Sequence, residues 1–492
     1  MTKPFIDKIT IENFRCFEKQ ELKLQVPDGI NDGSGLNILI GENANGKTTI
    51  LEAISFISQS TYSSENKLNI GDFRDKDAEI VVKADMDTFN CKLPFPYSGC
   101  YFESNGIEFR AKCRDRKSPG KLLSSAFQVS ENYMTLYPTY KKADGTDSGK
   151  EIPPLHKVFS NNDLEEEINV FLFDKNRTRQ IASGTFRTTF DRICEDLNWR
   201  FSKKVDITTL ETLAENVGGE YFKNVIETAQ KGTGVKLAKE VSEFFDNKDY
   251  ENLRIELLNL LHPFSNAFFA LRRDGELKQI KTRELGSGIE MVVTLLLLKS
   301  IAGESKGAIV YLIDEPELHL HPKAQDKLVS LLLEQSKDKQ IILSTHSPYM
   351  FKDCISKGVG LTIFSRDSNN NIVLSDANSA GWRKLPWGPS WGQINYYAFG
   401  LASVEFLNEL YGYLQESTQH FKQSAIDSFF VGKGLSQDKV WIRLSNGNQE
   451  QPEEVTLPTY VRNSIHHPEN KLNPKYTQEE MGKAISQLLS LI

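Results

Sequence analysis

The sequence predicts an α/β fold built on a parallel sheet, and three apolar segments that each end in polar residues predict it. The first, residues 36–40, leads into a loop that contains two glycines. The second, residues 309–313, leads into Asp314, and the third, residues 340–343, is followed closely by His346. Apolar runs without alternation are typical of strands buried on both faces, as in a parallel sheet.

The loop after the first strand has the sequence of a phosphate-binding loop and is followed by a helical pattern. Glycine lets the backbone curl so that successive N–H groups face a phosphate, and the helix N-terminus adds a partial positive charge. Lys47 is expected to reach the β- and γ-phosphates of a nucleotide, and the Thr48 hydroxyl to ligate Mg²⁺. The predicted nucleotide-binding residues of this loop are Gly41, Asn45, Gly46, Lys47, Thr48 and Thr49.

The ends of the second and third strands carry the candidate catalytic residues. Ligands of open α/β sheets bind at the carboxyl ends of the strands, which is where Asp314 lies. We expect Asp314 to hold Mg²⁺, directly or through water, and Glu315 to orient and deprotonate an attacking water. His346 is expected to contact the γ-phosphate. Together with Lys47, Glu315 and His346 form the predicted catalytic set, and Thr48 with Asp314 the predicted metal site.

Composition places the chain among soluble proteins of two or three domains. It has 492 residues, of which 39% are hydrophobic and 25% charged, and no apolar stretch approaches the roughly 20 residues that a membrane helix needs. The formal net charge of −7 argues against a generally basic nucleic-acid-binding surface. The N-terminus lacks an apolar signal segment and the six cysteines are scattered, so we expect a cytoplasmic protein with reduced thiols and no membrane contact.

Three segments resemble the ABC-type ATPase head shared by RecF, the structural-maintenance-of-chromosomes proteins and the OLD nucleases. They are residues 7–18, 314–322 and 344–348. The resemblance implies a split-sheet head that binds ATP and Mg²⁺, and a dimer, because such heads close on ATP with a signature helix from a second subunit. Ser287 and Gly288 are the candidate signature residues, although glycine precedes serine here and the usual glutamine region is replaced. The glutamine-loop residue has no assigned position.

We expect four regions along the chain. Residues 1–115 form a first ATPase lobe with antiparallel strands, and residues 116–265 a mostly helical insertion that also contains an apolar strand after Asn169. Residues 266–370 form the second ATPase half, with the signature, the acidic strand end and the histidine. Residues 371–492, aromatic and rich in proline and glycine at their start, form a mainly helical C-terminal domain.

The whole combination is most similar to the ATPase subunit, PtuA, of Septu-type anti-phage systems, including those linked to retrons. This resemblance implies a regulatory ATPase that forms oligomers and controls a small HNH nuclease in another chain. It also leaves open contact with nucleic acid or a retron nucleoprotein. The activating signal and the nucleic acid that is finally cut are not implied.

Two alternative functions stay open. Arg462 and His467 have the Arg-x4-His spacing of HEPN ribonucleases, and a histidine with a pKa near 6.5 suits acid–base catalysis. On that hypothesis the chain is a self-sufficient ribonuclease toxin. The structural alternative is that Arg462 and His467 belong to a hydrogen-bonded helix end. The third hypothesis is a RecF-like DNA-repair ATPase, which would bind DNA tightly and in a salt-sensitive way.

Overall fold

The computed structural model divides the chain into two compact units, Met1–Leu374 and Ser375–Ile492. Each unit is described by itself below. The structure describes residues 3–42, 44–57, 68, 70–92, 100–113, 122–128, 139–142, 144–151, 168–173, 180–182, 185–187, 234–256, 268–272, 279–281, 289, 291–293, 295–296, 299, 307–318, 320–352, 354–367, 370–377, 385–387, 390–445 and 448–492.

The first unit is built around a six-stranded sheet that is mainly parallel. In spatial order its strands are β18 (Ile372–Asp376), β17 (Gly360–Arg366), β3 (Leu36–Gly41), β16 (Gln340–Thr345), β15 (Ala308–Asp314) and β9 (Ile168–Phe173). From β17 to β9, every neighbouring pair is parallel. All residues of β3, β9, β15 and β16 are buried, which explains their uninterrupted apolar character. The predicted α/β class and its three central strands are confirmed.

Strand β9 shows where the structure differs from a simple helical insertion. It lies at one edge of the central sheet and pairs in parallel with β15, with Ala308 opposite Ile168. The apolar run after Asn169 was expected to be a strand, and burial on both faces accounts for its composition. Part of the region 116–265 therefore belongs to the core of the head itself.

A seven-stranded antiparallel sheet forms the second layer of this unit. Strand β1 (Ile6–Phe14) pairs with β4 (Ile80–Lys92), and Ile9 lies opposite Ala84. Strand β4 also pairs with β5 (Cys100–Cys113) along most of its length. Along β4, Val82, Ala84 and Met86 are buried whereas the residues between them are half-buried, so the strand has one apolar face, as the antiparallel interpretation of this region requires. The spatial order is β2 (Phe17–Lys23), β1 (Ile6–Phe14), β4 (Ile80–Lys92), β5 (Cys100–Cys113), β7 (Thr139–Lys142) and β8 (Asp147–Glu151), and β6 (Leu122–Gln128) also pairs with β5.

Helix α1 (Lys47–Ser55) lies in the core shared by the two sheets. Its Ile50 and Leu51 are fully buried in one cluster with Ile9 of β1, Val82 of β4 and Val310 of β15. Burying side chains of this size contributes about 1.5–3 kcal/mol each. Because α1 follows the phosphate loop directly, this packing fixes where the loop enters the core.

The remaining elements of the first unit flank these sheets. They are β10 (Gln180–Ala182) with β11 (Thr185–Arg187), α2 (Gly234–Phe245), the sheet of β12 (Leu253–Glu256), β13 (Phe268–Arg272) and β14 (Gln279–Lys281), then α3 (Pro322–Gln335) and α4 (Tyr349–Lys352), with single 3-10 turns at Ile70–Asp72, Lys248–Asn252 and Ile355–Lys357. Strands β13 and β14 pair antiparallel, with Leu271 opposite Ile280, and the Asp274-Gly275 segment between them lies outside the described residues.

The second unit is mainly helical. Its helices are α5 (Trp391–Phe399), α6 (Val404–Thr418), α7 (Gln423–Gly432), α8 (Leu457–His466) and α9 (Gln478–Leu489), accompanied by the two-stranded pairs β19 (Lys439–Trp441) with β22 (Glu453–Val455) and β20 (Leu444–Ser445) with β21 (Asn448–Gln449). Phe406, Leu410, Val461 and Ile485 are fully buried in its core. None of the helices in the described residues of either unit is both long and apolar enough to span a bilayer.

Local signals in the sequence set the helix ends of the second unit. Thr477 and Glu480 form a capping box at the start of α9, each side chain bonding to the other's backbone N–H. The hydroxyls of Ser390 and Ser403 cap α5 and α6 by accepting from the N–H groups of Gln393 and Phe406. These caps satisfy N–H groups that the helix leaves without an internal partner.

The side chain of Gln340 joins the two sheets of the first unit. It is fully buried at the start of β16 and bonds to both backbone groups of Ile6, accepting from the N–H at 3.0 Å and donating to the carbonyl at 2.7 Å. It also donates to the Gln25 carbonyl at 3.0 Å. One amide thus satisfies three backbone groups from segments more than 300 residues away in sequence.

Replacing Gln340 by alanine should lower the free energy of unfolding by about 2–4 kcal/mol, because it leaves the buried Ile6 N–H and carbonyl without this partner. Urea denaturation checks this value. The matched control is Gln20→Ala, whose amide donates to an exposed carbonyl and which should change stability by less than about 0.5 kcal/mol. Equal effects of the two substitutions would contradict the role given to Gln340.

Candidate active site

The backbone of the phosphate loop is curled by residues with positive φ. Gly46 has φ 87° and Ala44 has φ 61°, in the left-handed region that glycine adopts without strain. A Cβ atom on Gly46 would lie 2.6 Å from the Phe17 ring and 3.0 Å from the Cys16 sulfur, so glycine is also required by space. Gly46 is the N-cap of α1, and Lys47 is the first residue of the helix.

Lys47 is buried and points back over the loop. Its Nζ donates to the carbonyl oxygens of Gly41 at 2.8 Å and Glu42 at 2.7 Å. Since only 4% of Lys47 is exposed, the ammonium is held at the loop and not in bulk water. The first turn of α1 and this ammonium together supply the positive charge that a phosphate group requires.

Thr48 and Asp314 meet although they are 266 residues apart in sequence. The Thr48 hydroxyl lies 3.1 Å from Oδ1 and 3.0 Å from Oδ2 of Asp314, which also accepts a hydrogen bond from the Ser344 hydroxyl. Neighbouring oxygen ligands of an octahedral Mg²⁺ are about 2.9 Å apart, since each lies about 2.1 Å from the ion. Hard oxygen donors at this spacing fit Mg²⁺, with the remaining positions available to phosphate and water.

Glu315 and His346 form a second contact at the same edge of the sheet. His346 Nε2 lies 3.2 Å from Glu315 Oε1, and the Glu315 backbone has φ 49° and donates to Ser344. Burial lowers the pKa of His346, the Lys47 charge lowers it further, and Glu315 opposes both. The imidazole also bonds to the Gly41 backbone. His346 therefore lies between the acidic strand end and the phosphate loop.

The position of Glu317 was not anticipated from the sequence. Its Oε1 accepts three hydrogen bonds, from the Thr345 hydroxyl at 2.7 Å, the His346 N–H at 2.9 Å and the Ser347 N–H at 3.2 Å. Burial raises the pKa of this carboxyl, against the effect of those bonds. Glu317 thus ties the turn after β15 to the segment that carries His346. The signal available in the sequence was the second acidic residue after Asp314.

Asn45, Thr49, Ser287 and Gly288 are the remaining predicted nucleotide-binding residues, and His321 lies in the segment that follows Glu317. Asn45 and Thr49 are buried within the loop and the first turn of α1. His321 accepts from the Lys323 N–H and caps α3, which gives it a structural position. Ser287 and Gly288, the proposed signature residues, lie outside the described residues.

Arg462 and His467, the tail pair, contact different neighbours in the second unit. The Arg462 guanidinium lies over the Tyr411 ring, 4.9 Å from its centre. His467 is exposed after the end of α8, with Nδ1 3.4 Å from Glu469 and its ring 6.3 Å from that of Trp441. Both positions are accounted for by packing at a helix end.

Comparison with known proteins supports this assembly of motifs. Residues 5–351 match the family described as AAA ATPase domain. The chain is 25% identical over 388 residues to the OLD nuclease of Thermus scotoductus, covering 75% of this chain and 64% of the nuclease. It is 24% identical over 486 residues to the Septu protein PtuA of Bacillus thuringiensis, covering 95% of this chain and 99% of PtuA.

Other similarities are more distant or partial. The Escherichia coli Retron Ec83 probable ATPase is 23% identical over 403 residues, covering 72% of this chain and 70% of that protein. A solved Smc head bound to the C-winged helix domain of ScpA aligns over 77% of this chain and 99% of its own, with 15% identity and a TM-score of 0.39. The chain spans less than two thirds of the length of the OLD nuclease.

Replacing Glu317 by alanine should slow ATP turnover about 10–100-fold while the Kd for ATP changes by less than about threefold. Its carboxylate bonds to the backbone of His346 and Ser347, and a small misplacement of a reacting group is sufficient for such a loss. Steady-state turnover and equilibrium binding measure the two quantities.

Glu317→Gln keeps an acceptor oxygen at the same position and should restore most of the turnover. Asp326→Ala, an exposed carboxylate on α3, is the matched control and should behave as the unmodified protein. A Glu317→Ala variant with normal turnover would show that these hydrogen bonds do not position His346.

Proposed function

Because the chain belongs to the AAA ATPase domain family, we propose that it is a Mg²⁺-dependent ATPase that regulates an antiphage defence complex. The observation that carries the defence assignment is the alignment with PtuA, which runs over 95% of this chain and 99% of PtuA. The ATPase assignment is supported by the contact between Thr48 and Asp314 beside the phosphate loop.

Each side chain at the site has a proposed role in hydrolysis. Lys47 and the first turn of α1 bind the β- and γ-phosphates. Thr48 and Asp314 would hold Mg²⁺, which neutralises phosphate charge when it is bound. Glu315 orients a water and accepts its proton as the water oxygen bonds to the γ-phosphorus and the bond to the β–γ bridging oxygen breaks.

His346 is proposed to donate a hydrogen bond to the γ-phosphate. An imidazole N–H can donate to a phosphate oxygen, and the ring already lies at the acidic strand end, with Nε2 3.2 Å from Glu315 Oε1. Glu317 holds the backbone of the same segment and accounts for the orientation of the ring.

We further propose that the ATP sites are completed in a homodimer or a larger oligomer. Ser287 and Gly288 of a second subunit would contact the γ-phosphate through a hydroxyl and a backbone N–H. The proposed partner is a small HNH nuclease, and a nucleic acid or retron nucleoprotein is the proposed signal or substrate. The reduced thiols of Cys16 and Cys354 are compatible with the proposed cytoplasmic location.

Replacing Lys47 or Glu315 should separate binding from hydrolysis. Lys47→Ala should weaken ATP binding at least about 100-fold, because a buried charged donor at the loop is lost. Glu315→Gln should bind ATP normally but turn it over about 100-fold or more slowly, since the proton acceptor is removed. Titration with a fluorescent ATP analogue and phosphate release measure these effects.

Normal ATP affinity in Lys47→Ala would refute the phosphate-loop assignment, and unchanged turnover in Glu315→Gln would remove Glu315 as the base. Glu334→Ala serves as a control, because Glu334 is an exposed carboxylate of the same unit on α3. It should leave both quantities unchanged.

Affinity purification of the Glu315→Gln protein with ATP should recover a stoichiometric small nuclease, because slow hydrolysis prolongs the ATP-bound complex. Arg462→Ala should retain full anti-phage activity in the same cells, as a contact over the Tyr411 ring predicts for a structural residue. Mass spectrometry and plaque counts provide the measurements. Recovery of RNA or DNA without a protein partner would favour the ribonuclease or the repair hypothesis. Loss of activity in a normally folded Arg462→Ala protein would favour the ribonuclease hypothesis.

A further inference from the structure

Arg366, the last residue of β17, contacts the phosphate loop although it lies more than 300 residues after the loop in the sequence. Its Nη2 donates to the Ala44 carbonyl at 2.9 Å, and its Nε donates to the Asn45 side-chain oxygen at 2.9 Å. These partners are 322 and 321 residues away along the chain. We propose that Arg366 is a positioning residue that holds the phosphate loop in its nucleotide-binding conformation and so sets the affinity for ATP.

The loop requires such support at Ala44. This residue has φ 61°, in a region that non-glycine residues occupy only when the surroundings hold them there. Ala44 is exposed, so packing of its side chain supplies little of that restraint. The bond from Arg366 to its carbonyl restrains the orientation of the peptide group that follows Ala44, immediately before the residues that face phosphate.

Asn45 receives a second restraint from the same strand. Its Oδ1 accepts from Arg366, while its Nδ2 donates to the Phe364 carbonyl at 3.4 Å. A guanidinium is planar and presents its N–H groups in a fixed fork, so the two bonds to Ala44 and Asn45 fix both residues together. A lysine has one ammonium on a flexible stem and lacks this planar fork.

The guanidinium is itself held in place by the turn that follows β17. Nη1 donates to the Asn370 carbonyl at 2.9 Å and lies 3.3 Å from its side-chain oxygen. Asp367 and Asn371 exchange hydrogen bonds across this turn, including Asp367 N–H to the Asn371 carbonyl at 2.9 Å. The arginine is therefore oriented toward the loop by the turn as well as by the loop.

These contacts support a positioning role for Arg366. Each of the three nitrogens of Arg366 donates to a protein acceptor, at Ala44, Asn45 or Asn370. A residue in this arrangement acts on a nucleotide through the loop backbone. Its loss should then weaken binding of ATP and ADP by the same factor, since both place a β-phosphate in the loop.

The inference rests on the proposed ATP site, and two measurements on the full-length protein separate the two proposals. The first is hydrogen exchange at residues 44–49 without nucleotide, which should be faster in Arg366→Ala than in the unmodified protein. The second is the Kd for ATP and for ADP, which should rise about tenfold or more in Arg366→Ala. The turnover number at saturating ATP should fall by less than about threefold.

Further variants test whether Arg366 and Asn45 act as one unit. Arg366→Lys should recover only part of the affinity, because it cannot reproduce both bonds. In the double variant Arg366→Ala with Asn45→Ala, the Kd for ATP should be at most about twofold higher than in the single variant that binds more weakly. Such a small additional loss is expected for coupled residues. Lys357→Ala, an exposed cation of the same unit, should match the unmodified protein throughout.

Each outcome has a definite meaning. Unchanged exchange in the loop of Arg366→Ala overturns the positioning role, and so does an ATP affinity within twofold of the unmodified protein. A fall in turnover with unchanged affinity would also overturn it. If the loop exchanges faster but the unmodified protein binds no ATP, the positioning of the loop stands and the proposed ATPase function fails.

Discussion

The contact between Thr48 and Asp314 is the constraint on which the candidate site depends. It joins the helix after the phosphate loop to the end of β15, and neither residue is near the other in sequence. Two conditions produce it. The parallel order of β3, β16 and β15 places their carboxyl ends along one edge, and burial of Ile50 and Leu51 holds α1 against the sheet. Oxygen donors at about the spacing of neighbouring Mg²⁺ ligands are the result.

Around this contact, hydrogen bonds link the two strand ends into one rigid edge. Ser344 bonds both to the Asp314 carboxylate and to the Glu315 N–H, so β15 and β16 share a side chain at the site itself. Glu317 then fixes the backbone of His346. Buried polar networks of this kind are stable only when their members are satisfied, and they hold side chains in one geometry. Such preorganisation is what hydrolysis of a phosphate bond requires.

Gln340 extends the same logic to the second layer of the first unit. It ties Ile6 of β1 to β16, so the antiparallel sheet is attached to the strand that precedes His346. The Gln340 amide and α1 therefore connect the two sheets, so a change in the position of one sheet would alter contacts made by the other. The proposed regulation of a partner nuclease by ATP needs such a connection between the site and the rest of the head.

The strands that carry the candidate site could be predicted from the sequence. The uninterrupted apolar runs of β3, β15 and β16, the glycines of the loop and the capping box at Thr477 are local signals, since burial, positive φ and helix ends each favour particular residue types. The contacts of Glu317, Gln340 and Arg366 could not be predicted in this way and are evident from the three-dimensional structure alone. Their side chains bond to backbone or side-chain groups whose identity depends on which segments the fold brings together, and for Gln340 and Arg366 those segments are more than 300 residues away. A polar residue in a sequence does not indicate its partner, because hydrogen bonding depends on distance and angle in space.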